Sequence, residues 1–173
     1  MMPMGITSEN VAMRYGVNRQ MQDQMAYESQ QKAARAQKEG WLGSEITPYK
    51  TQIKDKDGKV TEVIVDKDDG VRAETSLESL AKLKPVFKAD GTTTAGNASQ
   101  VSDGAAAVLL TRRSHAIKLG LPIKGRILSY ACAGVLPDEM GIGPAFAIPV
   151  ALKKAGLSVK DIDVYEINEA FAS

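Results

Sequence analysis

The chain of 173 residues has a single cysteine, Cys132, and a single histidine, His115. One cysteine excludes a disulfide framework, and the pair supplies too few ligands for an all-protein Cys/His zinc site. Cysteine usage this sparse reads as a reducing compartment. Aromatic residues make up only 5% of the chain, and no apolar run approaches the roughly 20 residues a spanning helix requires. Charge of either sign is not in excess: 22 Lys and Arg against 21 Asp and Glu leave +1, so no global field attracts nucleic acid, and an acidic ligand must be held locally. The opening Met1, Met2, Pro3, Met4, Gly5 has no basic stretch followed by an apolar one, and so reads as carrying no targeting signal. With 43% hydrophobic and 25% charged residues, the composition is that of a soluble globular protein with one ordinary core or two small incomplete ones.

The first forty residues are helical in character. Thr7 and Ser8 are candidate caps of a short helix stopping near Gly16, and Asn18 of a longer one ending at Gly40. Met21, Met25, Ala26, Ser29, Ala33 and Ala36 form a narrow stripe that reads as packing surface rather than a ligand groove. Alternating runs over 49–54 and 59–65 flank Asp57 and Gly58, a hairpin signal, and the charged tip predicts an exposed turn. Thr75 and Glu78 have capping-box spacing ahead of Leu77, Leu80 and Leu83, which would give one face of a short helix before Pro85. Residues 90–99 are small and polar with two glycines, a composition that lets a ligand approach the main chain but also suits an ordinary turn. Ser102, Asp103 and Gly104 lead into the apolar, close-packed run 105–110, and Ser114 is a candidate cap of a helix closing at Gly120.

A compositional shift at Leu121 and Pro122 marks a boundary, beyond which the pattern is cleaner α/β. A strand is expected over 126–133, a helix over 148–155 with Pro149 in its first turn and Gly156 at its end, and a short buried strand over 164–167. Strand, helix, strand would make a parallel unit with a right-handed crossover. Asn168 would then turn the chain into a new helix. A helix just begun cannot satisfy its first amides and bury a face, so a chain stopping at Ser173 reads as cut rather than finished.

Several ordered motifs carry a resemblance across nearly the whole chain. Met4 to Ala12, Thr94 to Ser99 with Asp103, Gly104 and Ala105, then Met140, Gly141, Gly143 and Pro144, and finally Asn168 to Ala172 together resemble the 3-ketoacyl-CoA thiolase family. The wording of 30–37 and 166–173 is most similar to its peroxisomal fatty-acid type. The resemblance implies an α/β fold, thiolase-like and partial. Residues 1–121 would form the loop domain and the return to the N-terminal half-fold, and 122–173 the start of the C-terminal domain.

The chemistry so implied is Claisen-type cleavage. A cysteine thiolate attacks the ketone carbon of a 3-ketoacyl-CoA, acetyl-CoA leaves, and CoA collects the shortened acyl group in fatty-acid beta-oxidation. Asn168 matches the family asparagine that holds a water in an oxyanion hole, although position alone suits a strand-end turn residue equally. Glu169 would orient neighbouring groups, while a first-turn glutamate favoured by a helix dipole would look the same. The family pattern sets Ser99 against the pantetheine arm, Arg72 near the nucleotide end of CoA, and Phe87, Ala95, Met140, Ala170 and Phe171 along the pocket. Without it Arg72 reads as a solvent-exposed charge, and Phe87 and Met140 as core.

The family's nucleophilic cysteine, its Gly-His-Pro histidine and its second acid/base cysteine have no counterpart in these residues. Cys132 is expected to be a buried thiol in an apolar strand without a cationic neighbour, and His115 a surface residue beside Arg112 and Arg113. The segment alone is therefore expected to be inactive. No cofactor is implied, CoA being a substrate. Partners are acyl-CoA, CoA and further subunits of a homodimer or tetramer, with no nucleic acid and no membrane span. The compartment implied is the peroxisome, with mitochondrion or cytoplasm as alternatives. Two other readings stand beside this one: a non-catalytic CoA-binding protein of the same fold, and a subunit acting only by association.

Overall fold

The computed structural model describes residues 2–102 and 104–173; Met1 and the Asp103 of the Ser102–Gly104 reading lie outside the described residues. Helix α1 (Met4–Tyr15) starts directly after an extended Pro3, and Gly16 ends it in the left-handed conformation. Thr7 and Ser8 do not cap it. They lie one turn inside, where Thr7 Oγ1 donates to Met4 O at 2.7 Å, and spacing 4, 7, 8, 11 puts both on the inward face with Val11. Helix α2 (Arg19–Lys38) is capped as expected, Asn18 Oδ1 accepting from Met21 N at 2.9 Å.

The stripe on α2 holds except at its start. Ala26 is buried and Met25, Ser29, Ala33 and Ala36 are half-buried, but Met21 is exposed while Gln22 and Asp23 are buried, because the first turns of α2 pack against a polar loop that offers hydrogen bonds rather than apolar surface. The hairpin forms: β1 (Tyr49–Lys54) pairs antiparallel with β2 (Val60–Val65) in a register running from Tyr49↔Val65 to Lys54↔Val60. Asp55 Oδ1 accepts from Asp57 N and Lys59 N, and Gly58 takes the positive φ of 81° that the tight turn needs.

Helix α3 (Leu77–Ala81) has a capping box, but between Ser76 and Ser79 rather than Thr75 and Glu78. Each hydroxyl accepts from the other residue's amide at 3.1 Å, which leaves Thr75 one residue too early. Of Leu77, Leu80 and Leu83 only Leu80 is buried, and Leu83 lies beyond the end of the helix. Helix α4 (Arg113–Lys118) begins after Arg112, so Ser114 is inside it rather than at its cap; Gly120 follows with φ 65°. Helix α5 (Gly143–Ala155) opens five residues earlier than expected, with Pro144 in its first turn and Gly156 as its left-handed end. Pro149 is thus interior, and Ala145 C=O loses its partner there.

The expected strands at 126–133 and 164–167 are extended but belong to no ladder, and 105–110 likewise runs exposed rather than close-packed. A strand forms only where another supplies hydrogen bonds, and among the described residues the one sheet is the β1–β2 hairpin. Val108, Leu109 and Val164 are accordingly 80%, 78% and 71% exposed. The 126–133 segment does lie along α5, with Ser129 Oγ donating to Ala151 O at 2.7 Å and Lys154 Nζ to Tyr130 O at 3.2 Å. Cys132 on that segment is exposed, not buried, for the same lack of a covering strand.

Arg14 ties α1 to residues 138–139. Its guanidinium donates to Asp138 Oδ2 and, at 2.8 Å, to Glu139 Oε2, both in the 3-10 helix Pro137–Ile142. Asn10 Nδ2 adds a bond to Asp138 O at 3.0 Å. The Arg14 hydrogen bond holds the Asp138 carboxyl below its ordinary value near 3.8. A depressed carboxyl contributes stability that is present above the unfolded-state value and lost as pH falls through the folded one. The contact between α1 and the 3-10 helix should therefore persist at neutral pH and open only below about pH 4. Amide exchange of Met140 and Gly141, measured from pH 7 to pH 3, checks this: protection should fall at the acid end, and Arg14→Gln should remove that dependence.

Candidate functional site

The site is built on a polar core. Glu9, on the inner face of α1, is 4% exposed and faces residues 92–93. Its carboxylate accepts from Thr92 N at 3.0 and 2.9 Å and from Thr93 N at 2.8 Å, with Thr92 Oγ1 donating at 3.2 Å. From α2, Gln22 Nε2 donates to Thr92 Oγ1 at 2.8 Å, and Asp23 Oδ1 accepts from Asn97 Nδ2 at 3.0 Å. Asn97 closes the loop on itself, its Oδ1 accepting from Thr94 N at 2.7 Å and its Nδ2 donating also to Thr92 O. Thr93 and Thr94 are fully buried. The small residues of 90–99 thus serve as a loop whose backbone is pinned by two helices. Apart from Gln22 Oε1, which is buried without a partner, the network's buried polar side chains are paired among the described residues, and this pairing holds the loop in one conformation.

That loop carries the end of the chain. Ala98 bridges Phe171, Ser99 N donates to Ala170 O at 2.9 Å, and Ala172 N donates to Asn97 O at 3.1 Å. Residues after Asn168 therefore pair with the loop rather than winding into the expected helix, because the carbonyls and amides they need are supplied by 97–99. Phe171 meets Phe87 edge to face with centroids 6.4 Å apart and planes at 77°. Phe87 in turn lies over Gly5, where a Cβ would fall 2.2 Å from the ring; only a glycine admits this close approach of ring to helix.

A cleft of about 70 Å³ opens beside this junction, lined by Met4, Thr7 and Ser8 of α1, Met140 and Gly141, and Asn168, Ala170, Phe171 and Ser173. Its walls are of two kinds. Met4, Met140 and Phe171 are apolar, while Ser8 Oγ is within 2.9 Å of both Thr93 Oγ1 and Ser173 Oγ, a short run of hydroxyls joining loop, helix and chain end. Such a cleft suits a small polar group attached to an apolar chain.

Of the nine residues singled out in the sequence, Asn168, Met140, Ala170 and Phe171 line this cleft, Phe87 stacks against it, and Ser99 joins it through the Ala170 carbonyl. Glu169 turns to α2, accepting from Ser29 Oγ at 2.6 Å. Ala95 is exposed on the loop. Arg72 is exposed too and is attached to α2, its amide donating to Gln30 Oε1 at 2.8 Å. Sequence reasoning missed Thr7, Ser8 and Ser173 in the lining. The signal was present, since 4, 7, 8 and 11 share one face of a helix, but Thr7 and Ser8 also suit a cap. His115 is exposed, as expected.

A second hollow of about 340 Å³ lies on the other side of Glu9, between Ala12, Met13 and Asn18 and the Lys88–Thr92 turn. Among the described residues no cluster of three or more His, Cys, Asp or Glu could hold a metal ion, and no helix is long and apolar enough to cross a membrane.

Comparison with known proteins agrees along the whole length. Residues 1–114 match the family model of the thiolase N-terminal domain and residues 121–173 that of the thiolase C-terminal domain. The human peroxisomal 3-ketoacyl-CoA thiolase is 62% identical over 173 residues, which is 100% of this chain and 41% of the human protein. The Petunia hybrida peroxisomal 3-ketoacyl CoA thiolase 1 is 62% identical over 174 residues, 38% of its length. Among solved structures, the Bacillus anthracis acetyl-CoA acetyltransferase superposes with a TM-score of 0.90 at 43% identity, over 98% of this chain and 42% of that one. The dimeric peroxisomal thiolase of Saccharomyces cerevisiae superposes with 0.86 at 50% identity, over 99% and 42%. The chain thus spans about two-fifths of the length of these relatives and shares the α/β fold of their corresponding part. It belongs to the thiolase family.

Proposed function

We propose that this chain is the middle of a 3-ketoacyl-CoA thiolase, an acyltransferase that cleaves a 3-ketoacyl-CoA with CoA to acetyl-CoA and an acyl-CoA two carbons shorter. The observation that carries the reading is the convergence of Asn168, Met140, Ala170 and Phe171 on one cleft, with Phe87 and Ser99 bonded or stacked against it. Residues 1–121 would act as loop domain and return to the N-terminal half-fold, and 122–173 as the start of the C-terminal domain. The Asn168 amide would hold a water that donates to the developing oxyanion, a task for a neutral group that keeps its donors at every pH. Met140, Ala170, Phe171, Phe87 and Ala95 would lie along the pocket, while Ser99 would lie against the pantetheine arm. Arg72, exposed beside α2, would take the nucleotide end of CoA by stacking and donating from its planar guanidinium.

CoA serves here as substrate and no further cofactor is required. The nucleophilic cysteine, the Gly-His-Pro histidine and the second acid/base cysteine would come from flanking sequence. By likeness to its relatives the protein would work in the peroxisome, in beta-oxidation, as a dimer or tetramer.

The test compares two proteins with acetoacetyl-CoA and CoA. A polypeptide extended to the length of the relatives should form acetyl-CoA, and the 173-residue chain should form none. Thiolysis by the short chain that disappears in Cys132→Ala would overturn this division of labour. An inert long polypeptide that still binds CoA by calorimetry would leave a binding protein of thiolase fold.

A further inference from the structure

Asn168 makes no hydrogen bond of its own among the described residues, so its direction depends on its neighbours. On its N-terminal side, 164–167 is exposed and unladdered. On its C-terminal side the backbone is pinned only from Ala170 onward, through Ser99 and Asn97. Between these lies Glu169, and one contact holds it: Ser29 Oγ, 140 positions earlier, donates to Glu169 Oε2 at 2.6 Å. A bond that short from a hydroxyl to a carboxylate is of the charge-assisted kind.

Two features set Ser29 apart from an ordinary surface serine. A serine within a helix usually turns its hydroxyl to its own backbone or to solvent, whereas this one is directed at a distant side chain. It also stands on an element anchored at several points. Beyond Gln22 to Thr92 and Asp23 to Asn97, α2 is tied by Gln31 Nε2 to Ala73 O at 3.1 Å and by Gln37 Nε2 to Asp68 O at 2.7 Å. A contact from such a platform transmits position well. The helix-dipole explanation of Glu169 finds no support, since 168–173 pairs with the loop and is not helical.

We propose that Ser29 is a positioning residue: by holding Glu169 from α2 it fixes the adjacent Asn168 amide toward the cleft. The inference rests on the thiolase reading and deepens it. Ser29 touches neither cleft nor substrate. Its effect therefore falls on turnover rather than on substrate affinity, because a misdirected amide spoils the transition state while the acyl and CoA contacts stay in place.

The test uses the polypeptide extended to the length of the relatives. Ser29→Ala should lower kcat about tenfold and leave KM within about twofold. Its Tm should move by no more than about 2 °C, since alanine is the better helix former and the position is half-buried. Ser29→Thr, which keeps the hydroxyl, should restore most of the rate. Glu169→Ala should lose as much as Ser29→Ala, and the double variant no more than either, because both cut one link. A Ser29→Ala rate within twofold of the parent overturns the proposal, as do multiplicative losses in the double variant or a fall in Tm and rate together that threonine does not rescue. If the unmutated polypeptide does not thiolyse, the thiolase reading fails by itself. Relaxation of the Asn168 side-chain amide in the same asparagine-labelled protein then decides: greater mobility in Ser29→Ala supports the positioning role, and equal mobility sinks it.

Discussion

Glu9→Gln should destabilise the protein by about 2 to 4 kcal/mol, a large effect for a substitution that leaves the number of heavy atoms unchanged. The carboxylate is 4% exposed and faces donors only: two backbone amides and one hydroxyl. Glutamine replaces one acceptor oxygen with a donating amide: Oε1 can keep both backbone amides, but the new N–H group faces Thr92 N, and the Thr92 hydroxyl loses the oxygen it donates to. Thr92 Oγ1 can turn to accept from the new amide beside Gln22 Nε2, but its own proton is then left without the carboxylate acceptor. The comparison that isolates burial is Glu78→Gln. Glu78 pairs with Lys82 at 2.6 Å but is 80% exposed, so its loss should cost under about 1 kcal/mol. Urea unfolding of the two variants settles the matter, and equal midpoints would mean that the buried carboxylate contributes nothing special. The loss would spread beyond stability, because residues 97–99 hold the Ala170–Ala172 backbone. Loosening 92–93 should therefore loosen the cleft wall as well.

What was legible in the sequence is what local chemistry decides. Asn18, Gly16 and Gly156 end their helices because the capping bond or the left-handed turn involves only neighbours. Asp57 and Gly58 mark the hairpin for the same reason. The capping box of α3 was found one residue off, where two serines compete with a threonine and a glutamate at the same spacing. Strands failed differently. An alternating or β-branched run states only that a segment suits a sheet, and 126–133 and 164–167 find no ladder partner among the described residues. Their exposure follows from that, as does the exposure of Cys132.

The polar core was the least legible part. Nothing in the sequence marks Glu9, Gln22 and Asp23 as buried, since burial of a charge or amide depends on partners 70 to 90 positions away. The loop at 90–99 did show in composition, which favoured an ordinary turn over a close-approach segment. It is a pinned turn whose polarity is spent on its own helices, and its outer edge is what carries the cleft. The cleft residues themselves came from family motifs. Physical reasoning alone would have left Met140 and Phe87 in a core, where they are instead 46% and 37% exposed at an opening.

Asn168→Ala, made in a polypeptide extended to the length of the relatives, should lower kcat by about two to three orders of magnitude with little change in KM. The side chain is exposed and unbonded among the described residues, so stability should be almost unaffected and the loss cannot be charged to unfolding. Asn168→Asp gives the sharper result. It keeps the shape of the side chain but replaces the donating amide by a carboxylate, which at neutral pH cannot donate and repels a developing oxyanion. Aspartate should accordingly be no better than alanine at pH 7, despite being nearly isosteric. A residue that acted only as a turn former would show the opposite order, because Asp and Asn serve turns almost equally well and alanine serves them poorly. Stopped-turnover rates of the two variants with acetoacetyl-CoA thus separate the roles: aspartate near the parent and alanine impaired would make Asn168 a turn residue, and both impaired with unchanged Tm would make it the oxyanion donor's anchor.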